Sequence, residues 1–108
     1  MLNLIPNQNH VIYDSGYKRE EDSEKLKFSL VPSSALKRVA KRFEEGAKKY
    51  GHFNWRKADL SDLEQLNRFN DAMYRHLIQY LDGETDEDHL SAMICNAMMI
   101  IDLQEKVV

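Results

Sequence analysis

The sequence predicts an all-α fold, a small helical bundle in which three long helices follow an irregular N-terminal segment. Three stretches carry apolar residues at three- and four-residue steps, the spacing of a helix with one face in a core. Their connections are short, and almost no stretch alternates apolar and polar residues as a strand does. A chain of 108 residues accommodates one domain. We therefore expect residues 1–26 to be irregular and residues 27–108 to form a single helical domain.

The N-terminal segment lacks a period because turn-forming residues such as Pro6 and Gly16 interrupt it. Residues 19–22 form a charge run that water would solvate. A short extended piece is expected around residues 28–31, because Pro32 disfavours a helical backbone in the residue before it.

The first predicted helix runs from about Ser34 to Tyr50. Ser33 or Ser34 can cap its N–H groups, and Gly51 is a natural residue to end it. Gly46 inside the pattern costs about 1 kcal/mol relative to alanine, which suggests the close approach of a ligand or of another helix. The expected apolar face consists of Leu36, Val39, Ala40, Phe43, Ala47 and Tyr50.

The second predicted helix begins at Ser61, which with Glu64 forms a capping box, and ends near Leu81. Its expected inner face consists of Leu63, Leu66, Phe69, Met73, Leu77 and Tyr80. The third spans about Asp86 to Lys106, with Thr85 as its expected cap. Its expected inner face consists of Leu90, Met93, Ile94, Ala97, Ile100 and Ile101.

Composition excludes several classes of function. The net charge is −3 and no basic stripe is present, which argues against a sequence-specific or general nucleic-acid binder. No stretch approaches the 18 apolar residues of a membrane span, and the N-terminus does not resemble a signal peptide. Cys95 is the only cysteine and lies in an apolar run, so we expect a buried thiol. The expected location is a reducing cytoplasm, without membrane contact.

Two acids adjoin the predicted apolar faces, where a negative charge is costly unless a cation pairs with it. Glu44 flanks the face of the first helix, and Asp88 lies in the first turn of the third. Carboxylates are the ligands that Mg²⁺ prefers, so both are candidate metal ligands. The alternatives are an ion pair of Glu44 with Lys48 and a capping role for Asp88.

Basic residues and imidazoles supply the other candidates. His76 lies on the apolar face of the second helix, where a histidine is more often a core residue than a catalyst, and His89 lies in the third. Either could serve as a base or support one. Arg75 suits phosphate because a guanidinium binds two oxygens at once, although a surface pair with Asp71 is equally open.

The connector and the end of the first helix complete the set. Lys48 and Lys49 could neutralise phosphate charge, or simply face water. Trp55, beside Asn54, is either an aromatic cap over the core or a platform for a nucleobase.

These residues occur in an ordered pattern. Residues 25–32 precede the Glu-Glu-Gly-Ala-Lys-Lys-Tyr-Gly motif of residues 44–51, and Asn54-Trp55, Arg75-His76, Gly83-Glu84, His89-Leu90 and Asn96 follow. Over roughly residues 16–103 this pattern resembles the phage and bacterial dATP/dGTP diphosphohydrolase N-terminal family. That family is related to the all-α MazG-type nucleoside triphosphate pyrophosphohydrolases.

The resemblance implies cleavage between the α and β phosphates of a nucleoside triphosphate with Mg²⁺ or Mn²⁺, in a MazG-like bundle. It also implies a homo-oligomer, dimer or tetramer, and the host cytoplasm if the chain is phage-encoded. Glu44 and Asp88 are then the expected metal ligands, with His89 or His76 as base. The expected substrate-binding residues are Lys48, Lys49, Tyr50, Asn54, Trp55, Arg75 and Asn96.

Two other functions remain open. MazG-type enzymes usually carry paired acids one turn apart, but here Lys48 follows Glu44 at that distance and Ala92 follows Asp88. This departure favours a protein that binds a nucleotide without turning it over. A helical adaptor, in which the charged residues form only caps and salt bridges, is the third reading.

Overall fold

The computed structural model describes residues 10–21 and 25–106. The chain divides into two compact units, Met1–Leu30 and Val31–Val108. The N-terminal segment was expected to end after residue 26. The irregular chain expected around Pro6 falls outside the described residues.

The first unit contains a β-hairpin in place of irregular chain. Strands β1 (His10–Ile12) and β2 (Lys18–Glu20) pair antiparallel, and in the turn Gly16 adopts a φ of 87°, which favours glycine. The sequence did not reveal this hairpin because each strand has only three residues, too few to show an alternating pattern. The extended piece expected before Pro32 is also wrong, since Phe28–Leu30 forms a short 3₁₀ helix.

Three long helices make up the second unit, which confirms the predicted all-α fold. They are α1 (Ser33–Tyr50), α2 (Leu63–Leu81) and α3 (His89–Glu105), and a 3₁₀ helix (Asn54–Lys57) lies in the connector between the first two. Helix α3 packs against α1, α2 and the 3₁₀ helix, so it is the central element. It can occupy that place because its apolar residues lie on all sides.

The predicted capping residues need correction, although the helix bounds agree within three residues. Asp62, and not Ser61, accepts from the backbone N–H of Glu64 at the start of α2. Asp88, and not Thr85, caps α3. Several neighbouring polar side chains can cap a helix, and the backbone geometry decides which of them does.

No serine caps α1, where Pro32 occupies the N-cap position without a side-chain hydrogen bond. At the other end of α1 the prediction holds. Gly51 is the C-cap and has φ 95° and ψ 157°, a conformation almost exclusive to glycine.

The core of this unit is small. Its buried apolar side chains are Val39, Ala92, Cys95 and Leu103. The predicted burial of Cys95 is therefore confirmed, and burial raises the pKa of its thiol to about 11. No helix among the described residues is long and apolar enough to cross a membrane.

Several predicted inner residues are exposed in the single chain. Ile94 and Ile101 of α3 are 40% and 56% exposed. A helix that is apolar on every side does not reveal which side faces its own core, which explains this error. The other exposed members of the predicted apolar faces are Leu36, Ala40, Tyr50, Leu63 and Tyr80.

Candidate functional site

A groove of about 850 Å³ lies between α1, the connector with its 3₁₀ helix, and α3. This volume is in the range of pockets that bind small molecules and cofactors. Gly46 lies on its wall, and a methyl group added there would meet no atom within 4 Å. Among the described residues, no other helix approaches Gly46 closely, so one of the two explanations offered for this glycine is not met there.

The groove brings together six of the eleven predicted site residues: Glu44, Lys48, Tyr50, Asn54, Trp55 and Asn96. The other five are not among its lining residues. Lys49 has its ammonium 5.3 Å from the Tyr50 ring, and Arg75 is an exposed residue of α2. His76, His89 and Asp88 lie elsewhere in the bundle, near the start of α3.

An aromatic cluster forms one wall of the groove. Trp55 is half-buried, and the centroid of its ring lies 6.4 Å from that of Phe43 and 6.2 Å from that of Phe53. The guanidinium of Arg56 stacks over Phe53 at 3.9 Å from its centroid. Trp55 therefore packs against α1 and also presents part of its surface to the groove. This position is compatible with both an aromatic cap over the core and a platform for a nucleobase.

Two carboxylates line the groove, Glu44 from α1 and Asp102 from α3. Glu44 is exposed and makes no hydrogen bond or ion pair with any residue that the structure describes. Its predicted pair with Lys48 is therefore not formed. Asp102 contacts Arg56 at 3.2 Å and Lys106 at 3.8 Å, both through Oδ2. Each acid thus has at least one oxygen that could bind a cation.

Asp88, the other predicted metal ligand, has different partners. Its carboxylate accepts two hydrogen bonds from Arg38, from Nε at 2.9 Å and Nη2 at 2.6 Å. It also accepts from the backbone N–H and the hydroxyl of Ser91, at 3.2 and 2.6 Å. The Arg38 hydrogen bonds are the main reason why the pKa of Asp88 lies well below its usual range. In this structure Asp88 caps α3 and holds it against α1.

His76 and His89 form a buried pair in the bundle interior. Their Nδ1 atoms lie 2.9 Å apart, and the side chains of Asp86 and Glu87 adjoin them. A carboxylate only accepts, so Nε2–H of His89 donates to Asp86 over 2.8 Å. In neutral His89 the Nδ1 atom is then an acceptor, and Nδ1–H of His76 donates to it. Burial lowers the pKa of His76, with Glu87 acting in the opposite sense, so this imidazole is neutral near pH 7.

With this geometry established, comparison with known proteins identifies the family. Residues 15–107 match the family described as dATP/dGTP diphosphohydrolase, N-terminal. The chain belongs to this family. The comparisons with curated proteins and with solved structures gave no match. The resemblance found in the sequence is thereby confirmed, and the family name points to a hydrolase.

In this diphosphohydrolase-family chain, several groups in the groove and in the histidine cluster were not predicted from the sequence. Arg42, His52 and Arg56 line the groove but belong to no motif that could have indicated them. Asp102 had a weak sequence signal, because it lies two seven-residue steps after Asp88 and so falls on nearly the same face of the predicted helix. Glu87 adjoins two predicted residues, but its contact with His76 depends on the turn between α2 and α3.

Proposed function

We propose that this protein hydrolyses a purine deoxynucleoside triphosphate with Mg²⁺ or Mn²⁺, releasing the nucleoside monophosphate and pyrophosphate. One observation carries the proposal: in a chain of the diphosphohydrolase family, a single groove combines an aromatic wall, cationic side chains and two carboxylates. A nucleoside triphosphate needs all three, for its base, its phosphates and its cation.

The aromatic wall is the proposed place for the nucleobase. Trp55 would stack on the base, an interaction worth about 1–3 kcal/mol per base in single-stranded nucleic-acid complexes. Asn54 and Asn96 line the same groove and offer amides for the base or the sugar. Asn96 already donates one hydrogen bond to the Ala92 carbonyl over 2.8 Å, so its carbonyl oxygen remains as an acceptor.

The proposed phosphate ligands are Lys48 and Arg56. Lys48 supplies a compact positive charge, and the planar guanidinium of Arg56 can bind two phosphate oxygens at once. Arg56 lies against Asp102 in the described structure, so a phosphate would share or replace that partner. Both side chains would neutralise charge that develops on the departing pyrophosphate.

We assign the divalent cation to Glu44 and Asp102, because both line the groove and each offers a carboxylate oxygen. When bound, such a cation neutralises phosphate charge and makes a coordinated water more acidic. Asp88 was the ligand predicted with Glu44, but Arg38 and Ser91 already engage both of its oxygens. For this reason we assign the second ligand to Asp102.

His52 is the histidine among the residues that line the groove, and we assign it to accept the proton of the attacking water. From the sequence, His89 or His76 was expected in this role. Both are buried, at 2% and 6% exposure, and neither is a lining residue of the groove. That assignment stays a prediction, and substitution of each histidine tests it against His52.

Turnover of individual nucleoside triphosphates tests the proposal. We expect dATP and dGTP, with Mg²⁺ or Mn²⁺, to yield monophosphate and pyrophosphate, separated by ion-exchange chromatography. Glu44→Gln should abolish the reaction. Glu45→Gln is the matched control, because Glu45 is the next residue on α1 but is not a lining residue. Full turnover in Glu44→Gln would refute the metal assignment, and diphosphate products would refute the proposed bond cleavage.

A nucleotide-binding protein without turnover is the second candidate. The observation that favours it is the shortage of carboxylates, since the groove contains two acids among its lining residues. Calorimetry with a non-hydrolysable dATP analogue distinguishes the candidates when it is combined with the turnover assay. Binding without product supports the second candidate, and the absence of both would leave the helical adaptor.

We also propose that copies of this chain associate as a homo-oligomer. In addition to Ile94 and Ile101 on α3, helix α2 exposes Tyr74, Ile78 and Leu81, which recur at four- and three-residue steps on one face. Contiguous exposed apolar surface of this kind marks interaction sites. A second copy of the chain would bury residues that the small core of one copy leaves exposed.

A further inference from the structure

Three ionisable side chains cluster outside the groove. They are His76 on α2, Glu87 in the following turn and His89 at the start of α3, and one ligand atom from each lies within 4.8 Å of the other two. Both imidazoles are buried, while the carboxylate of Glu87 is about one-third exposed. The imidazoles are hydrogen-bonded to each other and His89 also to Asp86, and the proposed reaction makes no use of either ring.

The two imidazoles are arranged like adjacent ligands of one metal ion. Their Nδ1 atoms face each other at 2.9 Å. Metal–nitrogen bonds of about 2.0–2.1 Å place adjacent ligand atoms about 3.0 Å apart at a right angle, and about 3.4 Å apart in a tetrahedral site. An ion that binds both Nδ1 atoms would replace the hydrogen bond between the rings, and the proton on Nδ1 of His76 would then move to Nε2 of the same ring.

The surroundings orient the rings for this role. His89 donates Nε2–H to Asp86 over 2.8 Å, which directs the Nδ1 lone pair towards His76. Metal-binding histidines almost always donate their other N–H to an oxygen in this way.

Glu87 can supply the third ligand. Its Oε1 atom lies 3.8 Å from Nδ1 of His76 and accepts from Arg42 over 2.8 Å, while Oε2 remains available to a metal ion. The carboxylates of Glu87 and Asp86 contribute two negative charges near the site. Arg42 and the more remote Arg75 oppose them. A divalent cation would therefore enter surroundings whose net charge is close to zero.

We propose that His76, Glu87 and His89 form a site for a divalent transition metal of the zinc type, separate from the Mg²⁺ or Mn²⁺ site in the groove. Two imidazoles and one carboxylate form a zinc ligand set with a fourth position for water, and nitrogen ligands select against Mg²⁺. The bound metal links α2 to the start of α3 across the intervening turn. Metal binding of this kind stabilises small domains, whose cores are limited. The proposal does not depend on hydrolysis of nucleotides in the groove.

Zinc binding to the untagged full chain, without nucleotide, tests the site. After treatment with a chelator, we expect one Zn²⁺ per chain by calorimetry. Zinc at 100 times its dissociation constant should raise the melting temperature by about 10 °C or more. Substituting both His76 and His89 with glutamine should abolish this binding, and Asp86→Asn should weaken it about 10–100-fold. His10→Ala is the control, because His10 is exposed and lies in the other unit of the chain.

A second measurement needs no variant and therefore does not depend on whether the variants fold. Two-bond ¹H–¹⁵N spectra of the wild-type protein report on each imidazole nitrogen. Zinc should shift the Nδ1 signals of His76 and His89 and leave those of His10 unchanged, while Mg²⁺ should shift none of them. If zinc leaves the signals of His76 and His89 where they were, the site does not exist. An unchanged zinc affinity in the doubly substituted protein would lead to the same conclusion.

Discussion

Asp88 gives the sharpest test of the structure, because the sequence makes it a metal ligand and the structure makes it a helix cap. Its carboxylate accepts from the backbone N–H of Ser91 and forms a two-bond ion pair with Arg38. Asp88→Ala removes both interactions. Asp88→Ser keeps a hydroxyl oxygen that can cap α3 but loses the ion pair with α1.

The cap sets the magnitude of the effect. Replacing an aspartate at this position with alanine costs about 1 kcal/mol, and up to about 2 kcal/mol. The ion pair adds little, because its side chains are 58% and 35% exposed and salt screens them. For a domain of this size the melting temperature should fall by about 4–16 °C in Asp88→Ala. Asp88→Ser should retain most of the stability, since serine is a good capping residue.

The effect should depend on pH in a defined direction. The folded structure lowers the pKa of Asp88 from its ordinary value of 3.8, so its contribution to stability is complete above that value. Below that value the contribution falls, first because the unfolded chain takes up a proton there, and it is fully lost once pH passes the lower pKa of the folded state. The stability difference between wild type and Asp88→Ala should therefore shrink from pH 7 to pH 3.

Thermal and chemical unfolding followed by circular dichroism measure the melting temperatures and the free energies of unfolding, and the turnover assay is run on the same samples. The reasoning is refuted if Asp88→Ser keeps its melting temperature but loses metal-dependent turnover as completely as Glu44→Gln. In that case the sequence-based assignment of Asp88 to the metal is correct, and the assignment of Asp102 fails.

Three further predictions concern the groove and the exposed faces. Trp55→Ala should raise the dissociation constant of a non-hydrolysable dATP analogue about 5–150-fold, measured by calorimetry. Trp55→Phe should keep most of the affinity. Equal affinity in the wild type and both variants would exclude stacking on Trp55. Gly51→Ala should lower the free energy of unfolding by about 1–3 kcal/mol, because φ is 95° there. Gly46→Ala lies inside a helix with open space around it, so this change should raise the free energy of unfolding by about 1 kcal/mol. A Gly51→Ala protein more stable than the Gly46→Ala protein would contradict the backbone described. Ile101→Glu should shift the mass measured by light scattering towards one chain, and an unchanged mass would remove this residue from the interface.

Local patterns in the sequence were sufficient for the fold class and the helix bounds. Apolar spacing gave α1, α2 and α3 to within three residues of their ends, and Gly51 correctly marked the end of α1. These features depend on residues within one or two turns of each other, so the order of amino acids contains them. The motif of residues 44–51 and the short motifs that follow it were likewise sufficient for the family.

Tertiary structure alone decided which residues meet. Arg38 and Asp88 are 50 positions apart, and their contact depends on how α1 crosses α3. His76 and His89 meet because the turn between α2 and α3 brings the start of α3 beside α2. Their separation of 13 positions in the sequence does not predict this contact. Because α3 is apolar on all sides, only packing could show that Ala92 faces the core while Ile101 faces outward. Contacts between distant parts of the chain depend on the packing of whole helices, and local sequence does not encode that packing.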